Sequence, residues 1–224
     1  MQLPANLHRA VLQALALHAS QSLSSAATEL SQNYRDPHAR SGAFMATERH
    51  RLAYLAVRMP ATYSANSAVF TGIQSLLPGK AINSLLDLGA GPGTASWAAM
   101  DVFPELQNIT LVERDSHLID LGKSLAHCAE NTRLQNASWV EGDLGRTDSF
   151  RPHDLVVCSY ALNEMDPEIA RKVLSAAWTA THVALVVIEP GTMPGFHLIR
   201  RLRDDLIRLG AHLIAPCPHQ NTCP

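Results

Sequence analysis

Residues 87–94 read Asp87-Leu88-Gly89-Ala90-Gly91-Pro92-Gly93-Thr94. Glycines on three alternate positions, directly after the aliphatic run Leu85-Leu86, are what a strand-to-helix turn needs when the backbone must come close to a ligand. A dinucleotide fingerprint would place its third glycine at position 94, where this chain has Thr94. A tight turn requiring positive φ and serving no ligand would explain one such glycine. It does not explain three in phase.

Acidic residues follow at the ends of the next strands. Glu113 lies twenty-two residues beyond Gly91, where a carboxylate can hold ribose hydroxyls. Asp143, in Val140-Glu141-Gly142-Asp143-Leu144, can accept from an adenine amino group. With Asp87 these acids converge on one strand edge. Three carboxylates repel a pyrophosphate at short range but tolerate a sulfonium and an ammonium group, which points to S-adenosylmethionine (AdoMet). The candidate cofactor residues are Asp87, Gly89, Ala90, Gly91, Gly93 and Thr94 in the loop, Glu113 and Arg114 after the second strand, Asp143 and Leu144 after the third, and Ser159 at the end of the fourth. Taken singly, each acid is an ordinary solvated residue or helix cap.

The fourth strand runs out into Ser159-Tyr160-Ala161-Leu162-Asn163-Glu164-Met165, the place that faces a transferable methyl group. Asn163 and Glu164 are the catalytic candidates there. The segment lacks the Asn/Asp-Pro-Pro-aromatic motif that grips an exocyclic amine, and Cys158 sits in an apolar strand as a small hydrophobe. The tail, Pro216-Cys217-Pro218-His219-Gln220-Asn221-Thr222-Cys223, offers Cys217 and Cys223 with His219 between them as part of a metal site. Free thiols at a frayed end suit the same spacing.

These residues need a scaffold. From Ser84 onward, aliphatic runs at Ser84–Gly89, Ile109–Glu113, Ser138–Glu141, Leu155–Ser159 and Val183–Glu189 alternate with helical stretches at Thr94–Val102, Ser116–Cys128, Pro167–Ala177 and Pro194–Leu209. That order predicts a mostly parallel, doubly wound α/β sheet, Rossmann-like in type. Residues 1–80 read as a helical lobe. One helix carries Leu7, Val11, Ala14, Leu15 and His18. Ser24 caps a second bearing Ala27, Leu30 and Tyr34, which Asp36-Pro37 ends. A third, from Gly42 to Met59, turns Phe44, Leu52, Leu55, Ala56 and Met59 inward. Pro60 opens a fourth, with Tyr63, Val69, Ile73 and Leu76 on its apolar side. Three units are expected: residues 1–80, the cofactor domain 81–210 and the Cys/His tail 211–224.

Composition sets bounds. The 224 residues suffice for one α/β core and a modest extra lobe. The longest aliphatic run, Val183–Ile188, is too short to span a bilayer, and no membrane role is expected. With no secretory-type leader, a cytoplasmic location is expected. Four cysteines do not make a disulfide scaffold. The net charge of −2 divides unevenly: residues 1–80 hold seven Lys/Arg against three Asp/Glu, and residues 81–224 hold eleven against seventeen. A basic lobe beside an acidic domain suits an RNA partner and equally an ordinary solvated helical surface.

Taken together, these segments resemble the ribosomal small-subunit assembly family, that of the mitochondrial small-subunit methyltransferase-like protein and its bacterial relatives. The resemblance rests on Arg58-Met59-Pro60-Ala61-Thr62-Tyr63, the glycine loop, Ser159-Tyr160-Ala161-Leu162-Asn163-Glu164-Met165, Ile188-Glu189-Pro190-Gly191-Thr192 and Pro216-Cys217-Pro218-His219. It implies a class I AdoMet-dependent methyltransferase fold with a helical N-terminal lobe, and a role on the small ribosomal subunit or its rRNA. It also implies a [4Fe-4S] cluster, with Cys217 and Cys223 as its first two ligands. The relatives continue through further cysteines and a closing β-hairpin beyond the position of Pro224, so the sheet is expected to lack its final strands and the cluster its other ligands. Three functions follow: an RNA methyltransferase, a non-catalytic assembly factor that retains the AdoMet fold, and a small-molecule methyltransferase.

Overall fold

The structure, a computed structural model, describes residues 2–16, 25–30, 45 and 47–223. The expectations for His18, Ser24, Tyr34, Asp36-Pro37, Gly42 and Phe44 lie outside these residues. Five strands, β1 (Ser84–Leu88), β2 (Asn108–Glu113), β3 (Ser138–Glu141), β4 (His153–Ser159) and β5 (Thr181–Ile188), form one sheet in the order β3-β2-β1-β4-β5. Every pairing is parallel. The order reverses at β1, whose neighbours are β2 and β4, and a crevice at the carboxyl edge of such a switch point is where α/β sheets take ligands.

The helices are α1 (Ala5–Leu15), α2 (Glu48–Ala53), α3 (Met59–Leu76), α4 (Thr94–Val102), α5 (Ser116–Cys128), α6 (Thr132–Gln135), α7 (Pro167–Thr179) and α8 (Met193–Arg208), with a further helical segment at 25–30. Alternation along the strands assigns the two faces. Leu85, Ile109, Leu111, Leu155 and Val157 share a core with Leu7, Met59, Phe70, Trp97 and Leu125 of the helices on one side. Leu86, Leu88, Val112, Val156 and Cys158 pack with Ala170, Val173, Leu174, Leu198 and Leu202 of α7 and α8 on the other. Cys158 is fully buried, as its apolar strand implied. No described helix is long and apolar enough to cross a membrane.

The helices preceding β1 are clamped onto the first face. Helix α3 packs along α4, with Tyr63 donating to Asp101, Gln74 Nε2 donating to the Val102 carbonyl at 3.1 Å, and the Phe70 and Phe103 rings 6.0 Å apart. Helix α1 lies on α5, where Asn6 Nδ2 reaches the Ala129 carbonyl.

The expected break between Met59 and Pro60 is absent. Helix α2 passes through a π-helical turn, Tyr54–Arg58, straight into α3, and the Met59 N–H donates to the Tyr54 carbonyl five residues back. The cause is Pro60, whose ring would strike the carbonyl four residues earlier in a regular α-helix; a wider turn gives it room. The wider turn also rotates the buried face. Ala56, expected inside, is exposed. Likewise Val69 and Leu76 are 38% and 52% exposed, because the inward stripe of α3 is Met59, Tyr63, Asn66, Ser67, Phe70 and Ile73. Two polar residues in that stripe hid it from a search for apolar spacing.

Phe70 is fully buried between the helical layer and the sheet. Phe70→Ala should lower stability by about 3–5 kcal/mol, read as a shift of the urea midpoint at an unchanged denaturant slope.

Candidate functional site

A cavity of about 730 Å³ opens at the carboxyl ends of β1, β2 and β4. Its floor is the glycine loop. Gly89, Gly91 and Gly93 have φ of 72°, 55° and 83°, so each adopts the left-handed region that favours glycine. The three serve different purposes. A Cβ at Gly89 would lie 2.6 Å from the Cβ of Ala161, so the loop and the turn after β4 touch there. At Gly93 it would meet Leu111 and Trp139, and Gly93 faces the core and does not line the cavity. At Gly91 it would meet nothing within 4 Å, and Gly91 lines the cavity. This is the position where the backbone lies open to a ligand.

Glu113, 8% exposed at the end of β2, holds the loop in place. Its Oε2 accepts the Gly91 N–H at 2.9 Å, and its Oε1 accepts the Arg114 and Asp115 N–H groups at 2.8 and 2.9 Å. A carboxylate has about four acceptor positions, so one remains for a ribose hydroxyl. A grip on both hydroxyls requires the Gly91 bond to yield. Asp87, 1% exposed, accepts from the Ser96 N–H and hydroxyl at 3.2 and 2.7 Å, which ties β1 to the first turn of α4. Burial pushes its carboxyl up to about 7, against the Ser96 hydrogen bonds and with the help of the Glu113 charge. The three acids do not therefore form a fully anionic ring near neutral pH. Asp143 is exposed, lines the cavity, and accepts the Gly145 N–H at 2.9 Å.

Of the sequence candidates, Ala90, Thr94, Arg114, Leu144 and Ser159 line the same cavity, as does Glu164. Asn163 does not. It is exposed, and its backbone N–H turns instead toward Glu189. A 3-10 turn, Leu162–Glu164, separates the two candidates by orientation: it sends Glu164 inward and Asn163 out.

Several cavity residues had no signal in the spacing of acids and glycines. The π-helical turn brings Tyr54 and Arg58 to the wall, and the Tyr54 hydroxyl lies 3.0 Å from Thr94 Oγ1. Behind the lining, Asn66, fully buried on α3, donates to Ser159 Oγ at 2.9 Å. Tyr160 has φ 58°, a strained conformation for a bulky residue, and lines the cavity beside Ser159. Arg58 and Tyr160 belong to conspicuous sequence segments, so the signal existed there without a role attached.

The turn after β4 is held by Glu189 at the end of β5. Its Oε1 accepts the Leu162 N–H at 3.0 Å and the Asn163 N–H at 3.3 Å. Burial pushes Glu189 up to about 8, opposed by those two bonds and reinforced by the nearby Glu164 charge. Glu164 rises to about 7, again chiefly through burial, with Arg114 at 3.9 Å pulling it back.

The tail does not assemble a metal site. Among the described residues no three His, Cys, Asp or Glu side chains come together in a way that could hold a metal ion. Cys217 and Cys223 are unpaired thiols. What fixes the tail is α8: Arg200 Nη2 donates to the Cys223 carbonyl at 3.0 Å, and Arg203 Nη2 donates to the His219 and Asn221 carbonyls at 2.9 and 2.8 Å.

The family model of the mitochondrial small ribosomal subunit Rsm22 matches residues 48–224. Two Rsm22-cox11 tandem proteins of Schizosaccharomyces pombe, both mitochondrial, are 30% identical over 197 residues, covering 80% of this chain and 26% of theirs. The human mitochondrial ribosome assembly protein METTL17 is 27% identical over 195 residues, covering 80% of this chain and 42% of its own. The chain thus spans between a quarter and a half of the curated relatives it matches. The expected cytoplasmic location does not stand, because the matched family and these relatives are mitochondrial. Among solved structures, the plantazolicin methyltransferase BpumL superposes with a TM-score of 0.58 at 12% identity, over 87% of this chain and 80% of that one. An O-methyltransferase family protein from Burkholderia thailandensis gives 0.54 at 17%, over 80% and 52%. The fold is that of the class I AdoMet-dependent methyltransferases.

The raised carboxyls make stability depend on pH. A folded value above the unfolded one means that the native state holds the proton longer. The Glu189 contribution is therefore complete below its ordinary 4.5 and is lost as pH rises toward about 8. Asp87 and Glu164 act in the same sense up to about 7. The thermal midpoint should fall as pH is raised through this window. Glu189→Gln keeps an acceptor for Leu162 and Asn163 but cannot ionise, so it should flatten the upper part of the decline; an unchanged slope would refute the assignment.

Proposed function

The chain belongs to the Rsm22 family, and on that premise we propose that it binds AdoMet in the cavity at the carboxyl edge of its sheet and acts on the small ribosomal subunit or its rRNA during assembly. The observation that carries the cofactor half is the pairing of Gly91, whose open side faces the cavity, with Glu113, which fixes that glycine and keeps one acceptor position in reserve. The residues present fit the group. The cavity is of the size used for such ligands, its carboxyls offer acceptors for hydroxyl and amino groups, and Leu118, Leu144 and Val112 supply apolar wall for a base.

When bound, AdoMet supplies an electrophilic methyl group. In this reading Glu113 takes a ribose hydroxyl, Asp143 the adenine amino group, and Asp87 with the loop the methionine end. Glu164, poised near neutrality, stands on the acceptor side and can take a proton from the methylated atom. In this division the described part of residues 1–80 walls the pocket through Tyr54 and Arg58, residues 81–210 carry the cofactor site, and residues 211–224 are the tail. A four-cysteine cluster is no part of the proposal, since two thiols and one imidazole fall short of such a ligand set.

A second reading, an assembly factor that binds AdoMet without turnover, is favoured by the outward turn of Asn163, which leaves Glu164 as the one sequence candidate for catalysis inside the cavity.

Calorimetry with AdoMet should give saturable binding that Gly91→Arg abolishes by filling the open side of the loop; unaltered affinity in that variant would overturn the site. Labelled AdoMet and purified small-subunit particles then separate the readings. Label on the rRNA that is lost in Glu164→Gln indicates an enzyme, and particle binding without label indicates the assembly factor.

A further inference from the structure

The segment that leaves the cavity has a composition unlike the rest of its domain. Residues 190–203 hold three arginines and one histidine with no Asp or Glu, although residues 81–224 as a whole carry a net charge of −6. Pro190, Gly191 and Thr192 line the cavity, and α8 begins at the next residue. Its first turns expose large apolar groups that a monomeric helix would normally cover: Met193 is 66% exposed and Phe196 44%. The Arg200 guanidinium lies 5.7 Å from the centre of the Phe196 ring, and the His197 ring lies 6.0 Å from it. Arg201 is exposed alongside.

Acids do appear further along α8, and the structure shows where their charge goes. Asp205 pairs with Arg171 and Arg208, and Asp204 pairs with Arg203. Arg200 is engaged by the Cys223 carbonyl, which orients it without neutralising it. Positive charge therefore stands at mid-helix, on Arg200 and Arg201 just beyond Phe196, and is balanced at the far end. Phe196 stands one helical turn beyond the cavity lip, about 6 Å of rise from Thr192.

We propose that the first turns of α8 form a stacking platform for an unpaired nucleotide of single-stranded RNA, with Phe196 meeting the base and Arg200 and Arg201 the flanking phosphates. The proposal rests on the reading of the cavity as acting on ribosomal RNA and adds the surface that presents the strand to it. An exposed ring bracketed by a guanidinium and an imidazole suits a π-faced, negatively charged ligand. A protein helix would want a continuous apolar stripe, and His197, Arg200 and Arg201 interrupt any such stripe here.

The test uses the full chain and a fluorescein-labelled single-stranded RNA of mixed sequence, followed by anisotropy, with the matched duplex as comparison. Wild type should prefer the single strand. Phe196→Ala should weaken binding about tenfold, the usual loss for one stacked base, while Phe196→Trp retains it. The doubly substituted R200A/R201A should lower the salt slope by about 1.4, the value for two phosphate contacts on a single strand. Phe196 is a surface residue outside the cavity, so its variants should keep the thermal midpoint and AdoMet affinity of wild type. Failure of wild type to bind, equal affinity in Phe196→Ala, full rescue by Phe196→Leu, or equal binding of the duplex would each overturn the platform. Loss of AdoMet binding in wild type with Phe196-dependent RNA binding intact would overturn the cofactor assignment alone.

Discussion

The bond from the Gly91 N–H to Glu113 is the constraint on which the site depends. It joins the loop after β1 to the end of the neighbouring β2, beside the point where strand order reverses, and it does so with a buried carboxylate whose other oxygen is already engaged by its own following backbone. Hydrogen bonds from N–H groups to a charged acceptor are among the stronger ones a protein makes. The loop is thus held open by the group expected to grip the ligand. Cofactor contact and loop geometry share one side chain, and neither can change without the other.

A second layer of the site is carboxyls kept out of water. Asp87, Glu164 and Glu189 all stand well above the ordinary range because burial disfavours their charged forms. Each is attached to backbone structure: Asp87 to α4, Glu189 to the turn after β4, and Glu164 by way of that turn. The turn in turn presses Ala161 against Gly89. The end of β5 therefore reaches the glycine loop through two contacts, although the two strands are not neighbours in the sheet.

Much of this was legible in the sequence. Strand and helix limits in the sheet agree to within about two residues, since two-sided burial of Val, Ile and Leu runs leaves little ambiguity. The glycine loop and the acids at the strand ends come together in one cavity. What could not be read arises from non-local packing. A proline can end a helix or widen one turn of it, and Pro60 does the second, which puts Ala56 outside; Asn66 and Ser67 in the inward stripe of α3 hid the exposure of Val69 and Leu76. Gly93 has the spacing of a ligand-facing glycine but serves core packing against Leu111 and Trp139. Asn163 and Glu164 are adjacent in sequence, and only the direction of a single 3-10 turn decides which one enters the cavity. Glu189 was visible as part of a conspicuous segment, yet its task of holding another strand's turn required the three-dimensional register of β4 and β5.

The attachment of the tail to α8 has a consequence for how this protein tolerates sequence change. Arg200 and Arg203 bond to main-chain oxygens at His219, Asn221 and Cys223, atoms that every amino acid possesses. These three anchors are accordingly indifferent to the side chains at His219, Asn221 and Cys223 and depend on two guanidinium groups some twenty residues earlier in the chain, while Gln220 adds a side-chain bond of its own to the Ala211 carbonyl. Drift at the cysteines would leave the course of the segment unchanged. Drift at the arginines would remove those anchors while leaving every thiol in place.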